Sequence, residues 1–438
     1  MLYVLSTSWA LLFGILLLLV GNGLQGTLLG VRGGIEGFDA GTMAFVMSAY
    51  YVGFLVGAWN ASALIARVGH VRVFAALASL ISAAFLVYAA APDPWVWVAM
   101  RALVGFAFSG VYVVAESWLN DAATNETRGK ALSLYMIVQM LGIISAQFLL
   151  NIANPAGYTL FVIMSVLVSL GVTPILLTTG NAPAYRTTQP MSLAELFRIS
   201  PLGCVGTFLL GGVYAAIFGM ASVYGTVVGM SVAEISAFVA AIYAGGLAFQ
   251  FPVGWLSDRI DRRKLILALT LGGAAITLGA AAYAGDYAVA IGVGFIIGGV
   301  ANPLYALIIA YTNDFLEPSD MAAASGGLLF INGTGAMLGP FLIGFLLTRF
   351  GGWGFFGYVG GLYALIGAYA AWRMTRRAAP EETAAPYAPV LSTASPVVLE
   401  LSRGVAVDRG DALKAGDGAA DAAGDRTEEP AREEETAP

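Results

Sequence analysis

The chain has 438 residues, of which 58% are hydrophobic and only 11% charged, and its formal net charge is −6. Soluble proteins carry about 25% charged residues, so a water-soluble domain of this composition would leave most of its surface apolar. The composition therefore excludes the ordinary soluble classes and predicts an integral membrane protein.

Histidine and cysteine are nearly absent, with one of each, His70 and Cys204. An internal disulfide or a zinc site made of these residue types would need more of them. A Ser-His-Asp triad would have to use His70, which lies between Arg67 and Arg72 and which we expect to be an exposed loop residue. The sequence thus predicts no metal, no cofactor and no enzymatic activity.

Twelve apolar runs follow one another between residues 8 and 375, each close to the roughly 20 residues that a membrane-spanning helix needs. The first run has no cleavable-signal pattern, and we expect it to remain as a spanning helix. The runs lack the period-two alternation of barrel strands, so we predict an all-α protein with twelve transmembrane helices. The expected spans are 8–30, 42–65, 72–91, 95–118, 130–152, 156–178, 201–225, 233–256, 265–284, 287–312, 322–348 and 354–375.

A polar interruption in the middle of the chain divides the spans into six and six. Within it, Ser192 and Glu195 have capping-box spacing, which predicts a short interfacial helix. The end of the chain holds thirteen acidic and five basic residues and almost no aromatic ones, which is typical of a disordered segment. The four expected regions are a six-helix bundle over 1–178, a cytoplasmic linker over 179–200, a second six-helix bundle over 201–377 and a disordered acidic cytoplasmic tail over 378–438.

Lysine and arginine are distributed unevenly between the loops. The loops on the side of the amino terminus hold thirteen of them up to residue 377, whereas the other loops hold two, Arg32 and Arg349. Basic residues accumulate in cytoplasmic loops. We therefore expect a multi-pass protein of the plasma (inner) membrane with both termini in the cytoplasm.

The chain contains an internal repeat at an offset of about 192 residues. Arg67, after the second span, matches Arg259 after the eighth, and Arg72 matches Lys264. Two similar six-helix halves in the same orientation are typical of one class of secondary transporter.

The loop after the eighth span carries the most specific motif. Its sequence, Gly254-Trp-Leu-Ser-Asp258-Arg259-Ile-Asp261-Arg262-Arg263, resembles the Gly-x-x-x-Asp-Arg-x-Gly-Arg-Arg/Lys pattern of the major facilitator superfamily, with Asp261 where glycine is usual. The first-half copy keeps Arg67 and Arg72 but has Ala66 at the aspartate position.

Two features of the fourth span extend this resemblance. The segment Arg101-Ala-Leu-Val-Gly105 resembles the family's Arg-x-x-x-Gly signature. Glu116 near the end of the span resembles the acidic residue that ends the fourth helix in a bacterial subgroup of the family. The resemblance covers residues 8–377 and implies the twelve-helix fold of the family, in which two bundles move about a central site.

Two ionisable side chains stand out within the spans, Arg101 and Glu116. Such groups are costly in lipid and usually face the protein interior. The 15 residues between them correspond to about 22 Å of helix, which prevents direct pairing. We interpret Arg101 as a substrate-path or proton-relay residue, the alternative being a structural arginine bound by carbonyl groups. Glu116 is either a protonatable coupling site or a gating partner of a loop arginine.

Neutral polar residues recur on helix faces and predict the remaining wall of the path, although each alone is more often a contact between helices. The expected substrate-path residues are Asn22, Gln25, Arg101, Tyr112, Gln139, Tyr214, Asn302 and Tyr305. The expected coupling or gating residues are Glu116, Arg67, Arg72, Arg128, Asp258, Arg259, Arg262 and Arg263.

These residues predict a monomeric secondary active transporter that moves a small solute across the bilayer by alternating access, with proton coupling left open. The polar, nearly uncharged path suits a neutral or zwitterionic solute, and Arg101 is available for an anionic group. The alternative is a non-transporting membrane sensor or regulator with the same fold. No nucleic-acid partner is expected.

Overall fold

The computed structural model describes residues 2–122, 128–177, 191–317, 320–377 and Tyr387, and their side chains except those of residues 2–7, 120–122, 128–130 and 322. Most of the predicted linker, the tail apart from Tyr387, and the side chain of Arg128 therefore lie outside the described residues. The described chain is helical and contains no strand. The domain boundaries drawn from the sequence stay predictions.

Among the residues that the structure describes, twelve helical spans are long and apolar enough to cross a membrane, which confirms the predicted number. A span generally extends a few residues beyond its predicted ends because the helix continues past the apolar run. The α-helices are α1 Leu2–Ile35, α2 Ala40–Val68, α3 His70–Ala90, α4 Pro94–Ala122, α5 Arg128–Leu149, α6 Thr159–Leu177, α7 Leu193–Ile199, α8 Pro201–Ala215, α9 Ala221–Val227, α10 Val232–Ser257, α11 Arg262–Ala280, α12 Tyr287–Asn313, α13 Met321–Phe350 and α14 Gly352–Met374.

Two local features interrupt the regular alternation of spans. The short helix predicted in the linker exists as α7, and the Ser192 hydroxyl caps it by accepting a hydrogen bond from the Glu195 backbone N–H (3.2 Å). Its interfacial position stays a prediction. The seventh span, Pro201–Val227, consists of α8, a π-helical turn at Ala216–Met220, and α9. Single π-turns within α-helices occur frequently at functional sites.

The two halves share the same helix-crossing geometry. In the first half α2 crosses α4 at Gly53 and Gly105, where an added Cβ would overlap a carbonyl oxygen of the other helix. In the second half α10 crosses α12 in the same way at Gly245 and Gly298. Small residues let helix backbones approach closely in lipid, where van der Waals packing drives association. The repeat in the sequence is therefore a repeat in the packing.

The halves meet through α1 with α9, α2 with α13 and α5 with α10. Because twelve crossings are an even number, both ends of the helical body lie at one face of the membrane, named here the terminal face. Five of the hydrogen bonds between described residues of the two halves lie at mid-membrane or nearer the opposite face. They join Ser48 to Met337, Tyr51 to Tyr214, Asn151 to Ser236, Ser222 to Gly26 and Thr226 to Gly30.

The expectation that His70 is an exposed loop residue is wrong. His70 is the first residue of α3 and is only 2% exposed. The chain turns from α2 into α3 at a single residue, Gly69, whose φ of +86° is readily adopted by glycine. The turn is therefore too short for a loop, and His70 is held against the bundle.

Candidate functional site: a polar cavity between the halves

A cavity lies between the two halves. The first half contributes α1, α2, α4 and α5, and the second contributes the seventh span, α10 and α13. The π-helical turn reaches the cavity through Ile217 and Phe218. The polar lining residues are Asn22, Thr27, Tyr50, Tyr51, Arg101, Tyr112, Tyr214, Ser222, Tyr243 and Asn332.

Arg101 is the charged residue of this lining and is 4% exposed. Its guanidinium lies 4.8 Å from the centre of the Tyr50 ring, and one terminal nitrogen is 3.5 Å from the sulfur of Met47. Its Nε has no hydrogen-bond partner, and no ion pair of Arg101 is found among the described side chains. A buried cation held by a ring and a thioether retains unused donors, which can serve an anionic ligand.

Aromatic rings form much of the remaining wall. Tyr214 stacks on Phe218 with ring centres 5.4 Å apart, and Phe218 in turn lies 5.8 Å from Tyr243. On the other side Tyr50 stacks on Phe54 at 6.1 Å. Such rings offer a large apolar contact area, and the tyrosines add a polar hydroxyl. The cavity therefore combines one cation with flat apolar faces.

Four of the eight predicted substrate-path residues line this cavity, namely Asn22, Arg101, Tyr112 and Tyr214. The Tyr214 hydroxyl also donates to the Ala301 carbonyl oxygen (3.0 Å), which fixes α8 against α12. The structure thus brings α1, α4 and the seventh span together at one site, as the sequence pattern predicts.

The other four predicted path residues pack behind the lining. Gln25 is fully buried and donates to the Tyr88 hydroxyl (2.8 Å). Asn302 lies directly against Gly246 of α10, and Tyr305 makes an edge contact with Tyr214 (6.1 Å between ring centres). Gln139 is buried in α5 with 2% of its surface exposed. Gln25, Asn302 and Tyr305 therefore make contacts between helices.

Sequence reasoning missed several lining residues, including Tyr50, Tyr51, Tyr243 and Asn332. The repeat contained a signal for two of them. Tyr51 and Tyr243 are 192 residues apart and line the cavity from opposite halves, so applying the offset to every polar position would have paired them.

Glu116 lies in α4, is fully buried, and accepts a hydrogen bond from the Tyr135 hydroxyl (3.0 Å) of α5. This contact joins two helices of the first half near the terminal face. Of the arginines considered as its gating partners, Arg67 and Arg72 are exposed, and the side chain of Arg128 is not described. The role of Glu116 stays a prediction.

The loop motif of the second half forms a charge cluster within that half. Arg262 binds the Asp314 carboxylate (2.5 Å) and the Ala310 carbonyl oxygen (3.1 Å), and it lies 3.7 Å from Asp258. Arg262 and Asp314 are both almost fully buried. These contacts tie α11 to the end of α12. Arg259 points outward and stacks on Trp255 at 4.0 Å.

Asp261, which replaces the usual glycine of the motif, caps α11. Its carboxylate accepts hydrogen bonds from the backbone N–H (2.9 Å) and from the guanidinium of Arg263 (2.8 Å). These bonds hold the pKa of the Asp261 carboxyl below its usual value. The departure from the family pattern therefore supplies a helix cap and an ion pair in place of a flexible residue.

The sequence profile of the Major Facilitator Superfamily matches this chain twice, over residues 4–234 and 203–408. The chain belongs to the Major Facilitator Superfamily. This membership makes it a membrane transporter and not an enzyme. An uncharacterized MFS-type transporter of Yersinia pestis (strain Pestoides F) is 27% identical over 342 residues, which are 78% of this chain and 88% of that protein. The MFS-type transporter YcaD of Escherichia fergusonii is 26% identical over 343 residues, with the same coverage of each chain.

Solved structures share the fold. A mutant form of the nucleoside transporter NupG superposes with a TM-score of 0.71 at 15% identity, covering 83% of this chain and 99% of that one. A bacterial homolog of the human lysosomal transporter Spinster, in an inward-facing and unoccupied conformation, gives 0.65 at 16% identity, covering 92% and 95%. A D-xylose–proton symporter gives 0.63 at 13% identity, covering 83% and 97%. At these identities the likeness establishes the fold alone.

Proposed function

We propose that the chain is a secondary active transporter that carries a small organic anion through the central cavity by alternating access. The observation that carries this proposal is Arg101, a buried cation of the lining that makes no ion pair among the described side chains. Desolvated charges without a counter-charge are costly, so such a site favours a ligand that brings the missing negative charge.

The shape of the cavity narrows the class of solute further. Tyr50, Phe54, Tyr214 and Phe218 offer aromatic faces, while Asn22 adds an amide. A solute with a carboxylate or phosphate group and a flat or apolar body would satisfy both kinds of surface. A neutral solute would use the amides and hydroxyls and leave Arg101 unmatched, whereas a zwitterionic solute would place its anionic group at Arg101.

The terminal face is, in this proposal, the cytoplasmic one. The excess of lysine and arginine in the loops of that face supports the assignment. The five hydrogen bonds between the halves at mid-membrane and towards the opposite face support a state that is closed to the outside. The chain would then reside in the inner membrane with both termini in the cytoplasm.

Proton coupling is proposed to act through Glu116, whose fully buried carboxyl group binds Tyr135. The matched test is Glu116→Gln, which keeps the shape and removes the ionisable group. If Glu116 couples transport to protons, the variant loses the dependence of flux on a proton gradient and retains exchange of solute. A variant that retains the gradient dependence contradicts this role.

The deciding experiment is a flux screen in proteoliposomes with and without a proton gradient. Aromatic and aliphatic carboxylates and phosphate esters are compared with neutral analogues of equal size. We expect measurable flux for anionic members and little for their neutral analogues. Flux of neutral solutes alone contradicts the proposed substrate class, and the absence of flux for every class favours the sensor alternative.

A further inference from the structure

Tyr387 lies ten residues beyond Arg377 and is buried in the second half, with 5% of its surface exposed. Its backbone N–H donates to the Asp258 carboxylate (2.7 Å), and its hydroxyl accepts a hydrogen bond from the Gln250 amide (2.9 Å). The hydroxyl also lies 3.5 Å from the Pro303 carbonyl oxygen of α12. A single residue of the tail thus contacts two spanning helices near the terminal face.

The binding place for this tyrosine, named here the socket, is formed by Gln250, Gly254 and Asp258 of α10 with Pro303 of α12. The three α10 residues are spaced four apart and lie on one helix face. The glycine is essential to the fit, because a Cβ atom at Gly254 would lie 2.6 Å from Cδ1 of the Tyr387 ring. Burial and the nearby Asp258 charge raise the pKa of the Tyr387 phenol, so the hydroxyl stays protonated.

The first half has no equivalent of this socket. The matching positions, 192 residues earlier, are Ala58, Ser62 and Ala66. They supply neither the amide, nor the glycine, nor the carboxylate that contact Tyr387. The socket is therefore a feature added to the second half and not a consequence of the repeat.

The tail can reach the socket without a change in the last helix. Arg377 is anchored at the end of the body, since its guanidinium binds the Ile199 carbonyl oxygen (2.5 Å) and lies 3.7 Å from the centre of the Phe315 ring. Its own carbonyl oxygen accepts from Arg263 (2.9 Å). Ten residues can span at most about 35 Å, and one structure contains both the anchored Arg377 and the docked Tyr387.

We propose that Tyr387 docks the tail in this socket and thereby inhibits closure of the terminal face. Asp258, the acidic residue of the loop motif, is bound by the tail in this state, and the space over Gly254 is filled by the ring. Both are then withheld from the first half, which must approach this region when the terminal face closes. The inference rests on the proposed alternating access, although its test needs no knowledge of the solute.

Docking itself is tested by photo-crosslinking of the full-length chain. A benzoylphenylalanine at position 387 should crosslink to the α10 peptide that contains Gln250 and Gly254, as read by mass spectrometry. The same probe at Val397 serves as the matched tail control and should give at least tenfold less of that product. Equal yields from the two positions, or no α10 product from position 387, overturn the docking.

The effect on conformation is tested with spin labels at the terminal face. Val68, the last residue of α2, and Ile260, in the turn between α10 and α11, are exposed and occupy matching positions in the repeat. Cysteines there, in a Cys204→Ser background, report the separation of the halves. Tyr387→Ala removes the buried ring and the hydroxyl contacts with Gln250 and Pro303, and leaves only the backbone bond to Asp258 to hold the tail. We expect it to raise the ratio of short to long distances about tenfold.

Gly254→Ala should act in the same direction, because its Cβ displaces the ring. Gly272→Ala is the matched control, since a Cβ at Gly272 meets no neighbour within 4 Å. Unchanged distance distributions in both Tyr387→Ala and Gly254→Ala overturn the inhibitory role even if the crosslink forms. Failure of the flux screen, by contrast, would leave both measurements intact and count only against the proposed transport activity.

Discussion

The two halves have the same backbone packing and different charges. Both cross their second and fourth spans at a pair of glycines. At the terminal face, however, Arg262 of the second half joins Asp258 to Asp314, whereas the corresponding positions for Arg262 and Asp258 in the first half are His70 and Ala66. The two halves therefore share the glycines that close helix packing requires, whereas their charged residues at the terminal face differ.

In the cavity the charged residue belongs to the first half, the reverse of the arrangement at the terminal face. This residue is Arg101, and the matching position in α12, 193 residues later as for Gly105 and Gly298, is Gly294. One half thus supplies the charge for the solute, and the other supplies the charge cluster and the socket at the terminal face. Substitutions at matched positions can test whether this division is real.

The largest effect is expected from Arg262→Leu. The substitution leaves the Asp314 carboxylate, 3% exposed, without its buried cation, and breaking such a pair costs about 3–5 kcal/mol. The free energy of unfolding in mixed micelles measures the loss. The double variant Arg262→Leu with Asp314→Leu should recover most of it, because replacing both partners leaves no buried charge.

The matched change in the first half is His70→Leu. We expect a clearly smaller loss of stability, since an imidazole can be neutral whereas the guanidinium of Arg262 keeps its charge. Equal losses from Arg262→Leu and His70→Leu would show that the two loops are energetically equivalent and that the charge asymmetry has no structural consequence.

The next effect concerns transport and is expected from Arg101→Ala. Hydrogen bonds to a charged group contribute about 1.5–3 kcal/mol, so the rate at limiting solute should fall about 10- to 100-fold while membrane abundance is unchanged. Val293→Ala, beside the matching residue Gly294 of the second half, is the control and should retain near-normal flux. Normal flux by Arg101→Ala would remove the proposed anion site.

The sequence predicted the architecture well because it rests on the length and apolarity of the runs. The sequence was a poorer guide to which polar residues line the cavity and which only make contacts between helices. Asn22 and Gln25 are neighbours on α1, yet Asn22 lines the cavity and Gln25 points to Tyr88. In a bundle both sides of such a helix are buried, so polarity alone does not tell a ligand contact from a helix contact.

Two kinds of feature could not be predicted from the residue pattern. The cavity tyrosines such as Tyr50 count as apolar in a hydropathy reading, so their convergence depends on tertiary structure. Tyr387 lies in a segment whose composition is typical of disorder, and its burial depends on one complementary site, at Gly254, that is far away in sequence. Composition describes a segment's average, whereas docking depends on a single residue.

A symmetrical effect is expected from the crossing glycines. Gly53→Ala and Gly245→Ala each introduce a Cβ that overlaps a carbonyl oxygen of the crossing helix, and such overpacking costs about 1–3 kcal/mol. Similar losses of thermal stability in detergent would confirm that the halves are equivalent in packing. Gly272→Ala is the control in open space and should be neutral or slightly stabilising. A large difference in thermal stability between Gly53→Ala and Gly245→Ala would show that the two halves are not equivalent in packing.

The smallest effect is expected from Asp261→Ala, which removes the cap of α11 and costs about 1 kcal/mol at neutral pH. Its matched residue, Gly69, adopts a φ of +86° and provides no side-chain cap, so the first half gains nothing equivalent.

Because the bonds from Arg263 lower the Asp261 pKa in the folded state, the contribution is present above the unfolded pKa of about 3.9 and is lost as the pH falls through the folded value. Unfolding measured against pH should therefore show a constant gap between the native chain and Asp261→Ala down to about pH 5, and a closing gap below about pH 4. A gap that persists undiminished in acid would show that the carboxylate is not what stabilises this loop.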